Sequence, residues 1–421
     1  MMQLDSPART VEHYRSQAQM SAELRTGLRD LPIEFGETYP PSLSTQEDRQ
    51  YFWSQFPEGV VAFRRRGRYV VVADGLLAAP DDREDLLRAF LDFARRRRWH
   101  ASFVNVPRNE INLFRRQGCQ VTKCGEEPLV RLDRTRFQGK DWEWARRQEN
   151  FCRRHGVVCS EAAADPADDD YRQRIAPQIE EISREHLAGT LHGRELTFFV
   201  SQFSPDDVRG RRVFIAEEGE RVVAYAVCNP GLAGQMWAVE VYRRRGDAVR
   251  GVIPALFMHM LRAMQAEGVA YLSLSLAPFV RCTPMAGDSK MYRYFVNFWW
   301  RRLGAIYDMQ GLFHFKSRFR PDYREMFIAA HPRVTVRSMW AIAMLWHLFH
   351  FNPLRLVGRM WRQSHTLERR QLAMPDRSAD RLIRDLRPRP RPALSPAPDA
   401  LALVASVAGG DPPRVAELPG A

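Results

Sequence analysis

The stretch "VEVYRRRGDAVRGVIPALF", residues 239–257, runs from an apolar strand through a Gly-containing turn into an apolar helix. A strand that ends in such a turn and opens a helix presents backbone N–H groups with no partner inside the helix, and these make an anion site. Arg243, Arg244, Arg245 and Arg250 reinforce it; Glu240 and Arg243 stand three residues apart, and Asp247 and Gly251 follow before the helix begins. A run of surface arginines beside a turn is the plainer reading of the same letters. The place of the turn, opening a helix between two strands, favours a binding site and points to the kind of fold.

Working outward, "RRVFIAEEGERVVAYAVCNP" predicts a hairpin turning at Glu218-Gly219-Glu220, and "QMWAVEVYRRR" predicts the next strand. "GVIPALFMHMLRAMQAEGV" reads as a helix ended by Gly268, with "AYLSLSLAP" as the strand after it. A similar order occurs earlier. "EGVVAFRRRGRYVVVADG" reads as two strands around an Arg-Gly turn, and Leu86, Leu87, Phe90, Leu91 and Ala94 then share one helical face. "HASFVNVP" follows as a strand and "EINLFRRQGC" as a short helix. The fold class is therefore α/β, two units in tandem, each a mixed sheet with helices packed on it. The expected divisions are a helical or loose N-terminal extension (1–36), a first unit (37–140), a basic linking helix that ends at Gly156 (141–160), a second unit (161–335), an apolar and basic C-terminal helix (336–363) and a Pro/Ala-rich disordered tail (364–421).

Composition narrows the classes. A hydrophobic content of 45% in 421 residues supplies real cores, and 63 Lys+Arg against 50 Asp+Glu, a formal net charge of +13, favours a polyanionic partner, nucleic acid or anionic membrane. Cys119, Cys124, Cys152, Cys159, Cys228 and Cys282 form no CxxC pair and no zinc spacing, so no metal is expected. With no apolar leader in "MMQLDSPARTVEHYRSQAQM", this cysteine usage fits a reducing cytoplasm. No apolar run reaches the roughly 18 residues of a spanning helix. "SMWAIAMLWHLFHF" and the Arg355 and Arg359 beyond it suit either a helix lying in a membrane interface or one docked on the core.

The stretch "IYDMQGLFHFKSRFRPDY" (306–323) alternates apolar and polar letters, which predicts a strand. Lys316, Arg318 and Arg320 then form one charged edge, with Gln310-Gly311 ahead of it. Such an edge binds phosphates, or it simply guards a strand against aggregation. The arginine clusters at 64–66, 95–98, 146–147 and 153–154 suit the backbone of a nucleic acid or a solvated face. His347 and His350 have no carboxylate or thiol partner nearby in sequence, and "YFVNFWW" suits a core or a groove for an acyl chain.

These motifs resemble known families. "RRRGDA" fits the R-x-x-G-x-A pattern of GNAT acetyltransferases, and the tandem order of strands and helices is GNAT-like. From roughly Glu47 to Ala330 the chain resembles the catalytic domain of lysylphosphatidylglycerol synthases, the multiple peptide resistance factors of the DUF2156 family. The stretches that carry it include "YFWSQFPEGVVAFRRRGRYVVVADG", "CGEEPLVRLDRTRFQGK", "SREHLAGTLHGRELTFFVSQFSPDDV", "YLSLSLAPF" and the two quoted above.

The resemblance implies transfer of an aminoacyl group from aminoacyl-tRNA to a hydroxyl of phosphatidylglycerol, with no cofactor beyond the tRNA co-substrate. It places the family's acidic residue on Glu240, where Asp is usual, its arginine on Arg243 and the acid after the turn on Asp247. Arg250 replaces an Asn, Asp308 stands where Asn is usual, and Gln310, Gly311, Lys316 and Arg318 belong to the terminal signature. Glu240 or Asp247 would hold the α-amino group, and Lys316 and Arg243 would hold phosphate. Well-known members carry transmembrane helices ahead of this domain; none precedes it here, so peripheral contact with the inner face of the cell membrane is expected. Two rivals stay open: an acyl-CoA N-acyltransferase that uses "RRRGDA" for pyrophosphate, and a non-catalytic RNA- or lipid-binding protein.

Overall fold

The computed structural model describes residues 11–38, 41–190, 203–206, 208, 210–302 and 308–348. The segment 349–363, part of the expected C-terminal helix, and the tail 364–421 lie outside the described residues.

In chain order the first part holds β1 (Val11–Tyr14), α1 (Ala22–Phe35), β2 (Gln50–Gln55), β3 (Glu58–Arg66), β4 (Tyr69–Val72), α2 (Arg83–Arg96), β5 (His100–Pro107), α3 (Ile111–Arg116) and β6 (Gln120–Arg131). After α4 (Glu143–Arg154) come β7 (Val157–Ala162), α5 (Ala176–Gly189), β8 (Arg212–Glu218), β9 (Arg221–Gly231), β10 (Met236–Arg244), α6 (Val252–Ala266), β11 (Tyr271–Ser273) and β12 (Ala277–Pro278). The described part closes with α7 (Lys290–Arg302), α8 (Met309–Ser317), β13 (Asp322–His331) and α9 (Val336–Leu345).

The strands form one sheet in the order β1-β2-β3-β4-β5-β13-β6-β11-β10-β9-β8-β7, with β12 beside β6. All the pairings are antiparallel except β4–β5 and β10–β11, one parallel pair in each half, joined by α2 and α6 respectively. The fold class is thus the tandem α/β arrangement expected from the sequence. The last strand, β13, lies between β5 and β6, and β6 also pairs with β11, so these strands form the seam between the halves.

Burial on both faces explains the unbroken apolar runs. Val70 and Val72 of β4 face α2 and α3 in a cluster with Phe63, Phe90, Phe103 and Phe114, while Val71 and Ala73 join Tyr292 of α7 and Leu345 of α9 on the other face. In the second half Phe214 and Ala216 pack with α6, and Val213 and Ile215 pack with Ile179 and Ile182 of α5. Each buried aliphatic side chain contributes about 1.5–3 kcal/mol relative to exposure, which is what holds the helices on the sheet.

Three expectations change. The N-terminal segment is not only helical or loose: β1 adds an edge strand to β2, and Ser21 caps α1 by accepting from the Leu24 N–H at 3.3 Å. "AYLSLSLAP" is not one strand, because Ser275 takes a left-handed φ of 60° between β11 and β12. Residues 309–317 are a helix, not a strand. Asp308 caps it by accepting from the Gly311 N–H at 2.8 Å, and Met309, Phe313 and Lys316 are buried at helical spacing.

Candidate active site

The site begins where two parallel strands part. β10 pairs with β11 over Met236–Ala238 against Tyr271–Ser273, and beyond Ala238 it pairs with β9 alone. At that point β10 bulges between Val239 and Val241, with Glu240 as the extra residue. In a regular strand, residues three apart point to opposite faces. The bulge corrects this: Val239 packs on the α6 side, Val241 packs on the α5 side, and Glu240 and Arg243 both turn toward α5. Asn229 Nδ2 donates to Glu240 Oε2 at 2.5 Å, Arg211 lies 3.7 Å from the same oxygen, and only 6% of the Glu240 side chain is exposed. Arg243 is buried and helps keep His186 of α5 below its ordinary pKa, an effect due first to burial.

α8 fills the gap left by β11. The Phe315 ring stacks on Tyr242 of β10 at 5.8 Å, and both touch Phe257 of α6. One residue on, Lys316 turns inward and donates to the carbonyl oxygens of Ser275 at 3.1 Å and Leu276 at 2.9 Å. The Ser275 hydroxyl donates to the carbonyl of Val239, the residue before Glu240, so the Lys316 anchor is bonded to the bulge. Burial pushes the Lys316 ammonium down to about 7, against the opposing pull of the Glu127 carboxylate. Glu127 is itself fully buried, accepting from Ser273 Oγ at 2.6 Å and from Arg324 Nε at 2.9 Å.

The other residues singled out from the sequence lie elsewhere. Asp247 is exposed and pairs with Arg221 at 2.8 Å at the end of the β8–β9 hairpin. Arg250 is exposed and precedes Gly251, the N-cap of α6, whose φ is 91°. A side chain on Gly251 would meet the Gln148 amide of α4. Of the arginine run, Arg245 is buried and clamps the turn to Glu181 and Glu185 of α5. Gly311 is required because a Cβ there would collide with the capping carboxylate of Asp308; Gln310, beside it, is partly buried in the first turn of α8. The expected charged edge does not exist: Lys316 points in, the Arg318 guanidinium lies 5.2 Å over the Trp144 ring, and Arg320 pairs with Asp141 at 3.2 Å. Among the described residues no group of three or more His, Cys, Asp or Glu is placed to hold a metal.

Sequence reasoning missed Asn229, Ser273, Ser275, Glu127 and Arg324. Glu127 alone left a trace, as a carboxylate within the otherwise buried strand "CGEEPLV".

The fold and these residues define a two-halved α/β protein whose second half carries a largely buried acid and arginine on β10 and a buried lysine on α8, where its parallel strands part. The chain belongs to the family described as phosphatidylglycerol lysyltransferase, C-terminal, whose model matches residues 41–330. It is 24% identical over 291 residues to a phosphatidylglycerol lysyltransferase of Bacillus subtilis, covering 67% of this chain and 32% of that protein. It is 20% identical over 300 residues to the phosphatidylglycerol lysyltransferase of Staphylococcus aureus MSSA476, covering 70% and 34%. The chain thus spans about a third of the length of these curated relatives. Among solved structures, the DUF2156 C-terminal domain from Agrobacterium fabrum superimposes with a TM-score of 0.64 at 19% identity, covering 76% of this chain and 95% of that one. L-PGS from Bacillus licheniformis superimposes with a TM-score of 0.62 at 18% identity, covering 79% and 97%.

Proposed function

We propose that this protein transfers an aminoacyl group, lysyl in type, from aminoacyl-tRNA to the hydroxyl of phosphatidylglycerol at the place where β10 and β11 part. The observation that carries the reading is Lys316, buried beside the Glu240 bulge and depressed to about 7. A neutral lysine has two N–H bonds, and both are directed at the Ser275 and Leu276 carbonyls, which leaves the nitrogen lone pair for a proton. The lipid hydroxyl attacks the aminoacyl ester carbon as its proton passes to Lys316. The tetrahedral adduct then expels the ribose oxygen of the tRNA, which takes that proton back. Glu240, fixed by Asn229, receives the α-ammonium of the aminoacyl group, and the buried Arg243 offers a fork for phosphate or for the developing oxyanion. The family name and the names of the two relatives support lysine and phosphatidylglycerol as the substrates.

The acyl-CoA alternative has less support, because Gln148 stands against Gly251 at the start of α6 and Arg245 turns inward. Membrane contact is part of the proposal. α7 exposes Lys290, Tyr294 and Phe298 along one stripe, and the α9 region exposes Arg333, Val336, Arg337 and Trp340; both helices pack on the same face of the sheet. Aromatic and basic side chains on one face suit an anionic bilayer surface. Among the described residues no helix is long and apolar enough to cross a membrane. The deciding experiment incubates the protein with tRNA charged with labelled lysine and phosphatidylglycerol vesicles. RNase-sensitive label in the lipid phase, absent in Lys316→Ala, supports the reading, and no label at stoichiometric protein overturns it.

A further inference from the structure

The first half repeats the geometry of the site just described. β4 pairs in parallel with β5 as far as Val72 and Phe103, and β10 with β11 as far as Ala238 and Ser273. Two residues beyond each last pairing, Asp74 corresponds to Glu240, and Asn105 corresponds to Ser275. Asn105 and Ser275 both take left-handed backbone, with φ of 62° and 60°. Both halves therefore place a carboxylate and a left-handed polar residue on either side of a strand parting.

In the first half this parting is a cleft. It is narrow, with about 30 Å³ of room for water-sized groups, enough for the head of a small ligand and no more. Asp74, Asn105 and Glu110 line it together with Phe103 and Phe114. Asn105 is only 4% exposed, and neither its amide oxygen nor its amide nitrogen has a hydrogen-bond partner. Asp74 is 1% exposed; its Oδ2 accepts from Arg49 at 3.0 Å, while Oδ1 has no partner. The second acid, Glu110, is paired on one oxygen with Arg83 at 2.9 Å, and Arg83 is shared with Glu37 at 2.7 Å. Leaving several buried polar atoms unmet is costly, on the order of 1–3 kcal/mol each, so the cleft is built for an occupant. The unmet oxygens need donors, and Arg83 is shared by two carboxylates, so the surplus is of acceptors.

We propose that this cleft is a second ligand site, which takes the head of a primary alkylammonium between Asp74, Asn105 and Glu110. The ammonium donates to Asp74 Oδ1, Asn105 Oδ1 and the Glu110 carboxyl, while the Asn105 amide is left to donate to an oxygen on the ligand. The proposal rests on the transferase reading only in its parallel with Glu240; the unmet atoms stand without it. A polar relay, buried except at Glu37, also joins the two sites. Arg83 bonds Glu37, whose carbonyl accepts from Arg324 at 2.7 Å, and Arg324 bonds Glu127, which holds Ser273 beside the Lys316 anchor.

The test uses the full chain and saturation-transfer NMR with methylammonium, with methanol as the neutral control. L-lysine and phosphoethanolamine, run as further arms, tell an amino-acid source from a lipid head group. Methylammonium is expected to bind and methanol is not. Asn105→Gly, which suits the left-handed backbone, and Glu110→Gln are each expected to weaken binding at least tenfold, whereas Lys316→Ala retains it. No signal from methylammonium, an equal signal from methanol, or unchanged affinity in a folded Asn105→Gly overturns the proposal and leaves a cleft that holds only water. Because binding is read without any transfer, failure of the lysyltransferase reading shows separately, as retained methylammonium binding with no labelled lipid.

Discussion

Asp74 and Glu240 occupy the same register position in the two halves, each two residues past the last parallel pairing of its strand. Their surroundings set them apart. Asp74 is buried, which pushes its carboxyl up to about 6 against the pull of Arg49, whereas Glu240 sits on a bulge held by Asn229 and near Arg211. One acid lines a narrow cleft, and the other sits on a bulge bonded through Ser275 to the anchor of Lys316, a lysine that can change its charge near neutral pH.

That lysine sets a pH dependence. Its folded pKa lies below its ordinary value, so it is charged below about 7 and neutral above. Transfer, measured as kcat/KM, is expected to rise with pH through that value and then level off. Lys316→Met removes this limb and lowers transfer by about 10²–10⁴-fold. Glu127 opposes the depression, so Glu127→Gln is expected to move the limb to lower pH. A limb that stays in place in Lys316→Met overturns the assignment.

Glu240→Gln keeps an acceptor for Asn229 but loses the charge. Losing a charge-assisted hydrogen bond to an ammonium costs about 1.5–3 kcal/mol, so KM for the aminoacyl donor is expected to rise roughly 10- to 100-fold, with folding intact by circular dichroism.

Asp247→Ala breaks an exposed pair with Arg221. Such pairs contribute about 0–1 kcal/mol, so both the denaturation midpoint and the transfer rate are expected to stay near those of the parent. A collapse of transfer would move the catalytic acid to the turn.

Gly311 and Asp308 are expected to be coupled. Asp308→Ala loses the α8 cap at about 1 kcal/mol, and Gly311→Ala is expected to stabilise only in that background, where no carboxylate meets the new methyl. Urea titrations of the two single variants and the double close the cycle; additive effects would rule out the coupling.

Vesicle sedimentation checks the membrane face. Replacing Phe298 and Trp340 together by Ser is expected to weaken binding to phosphatidylglycerol vesicles severalfold, and added salt to weaken it further. Equal binding to vesicles of neutral lipid would refute the electrostatic part.

Much of the fold was legible because β4, β8 and β9 are buried on both faces and carry unbroken apolar runs between clear turns. The helix at 309–317 was misread because Met309, Phe313 and Phe315 fall at odd positions and Lys316 and Arg318 at even ones, like the two faces of a strand, and that alternation hid the helical spacing of Met309, Phe313 and Lys316. Glu240, Arg243 and Lys316 were visible as letters, but their placement around the strand parting was not. It depends on one extra residue in β10 and on a left-handed Ser275, neither of which leaves a periodic trace. Glu127 and Arg324 meet only because β6 pairs with β13, about two hundred residues further along the chain, a contact that local patterning does not encode.

The insertion of β13 between β5 and β6 has a consequence for synthesis. As the chain leaves the ribosome, the first half emerges with two long strand edges facing each other across an empty slot. That slot stays vacant until the residues up to His331 have been made. A nascent chain at this stage, or a fragment cut within the linking segment, offers its bare edges to any other extended segment nearby. Expression of the first half alone is therefore expected to yield aggregates, and residues 322–331 supplied as a separate peptide are expected to keep it in solution.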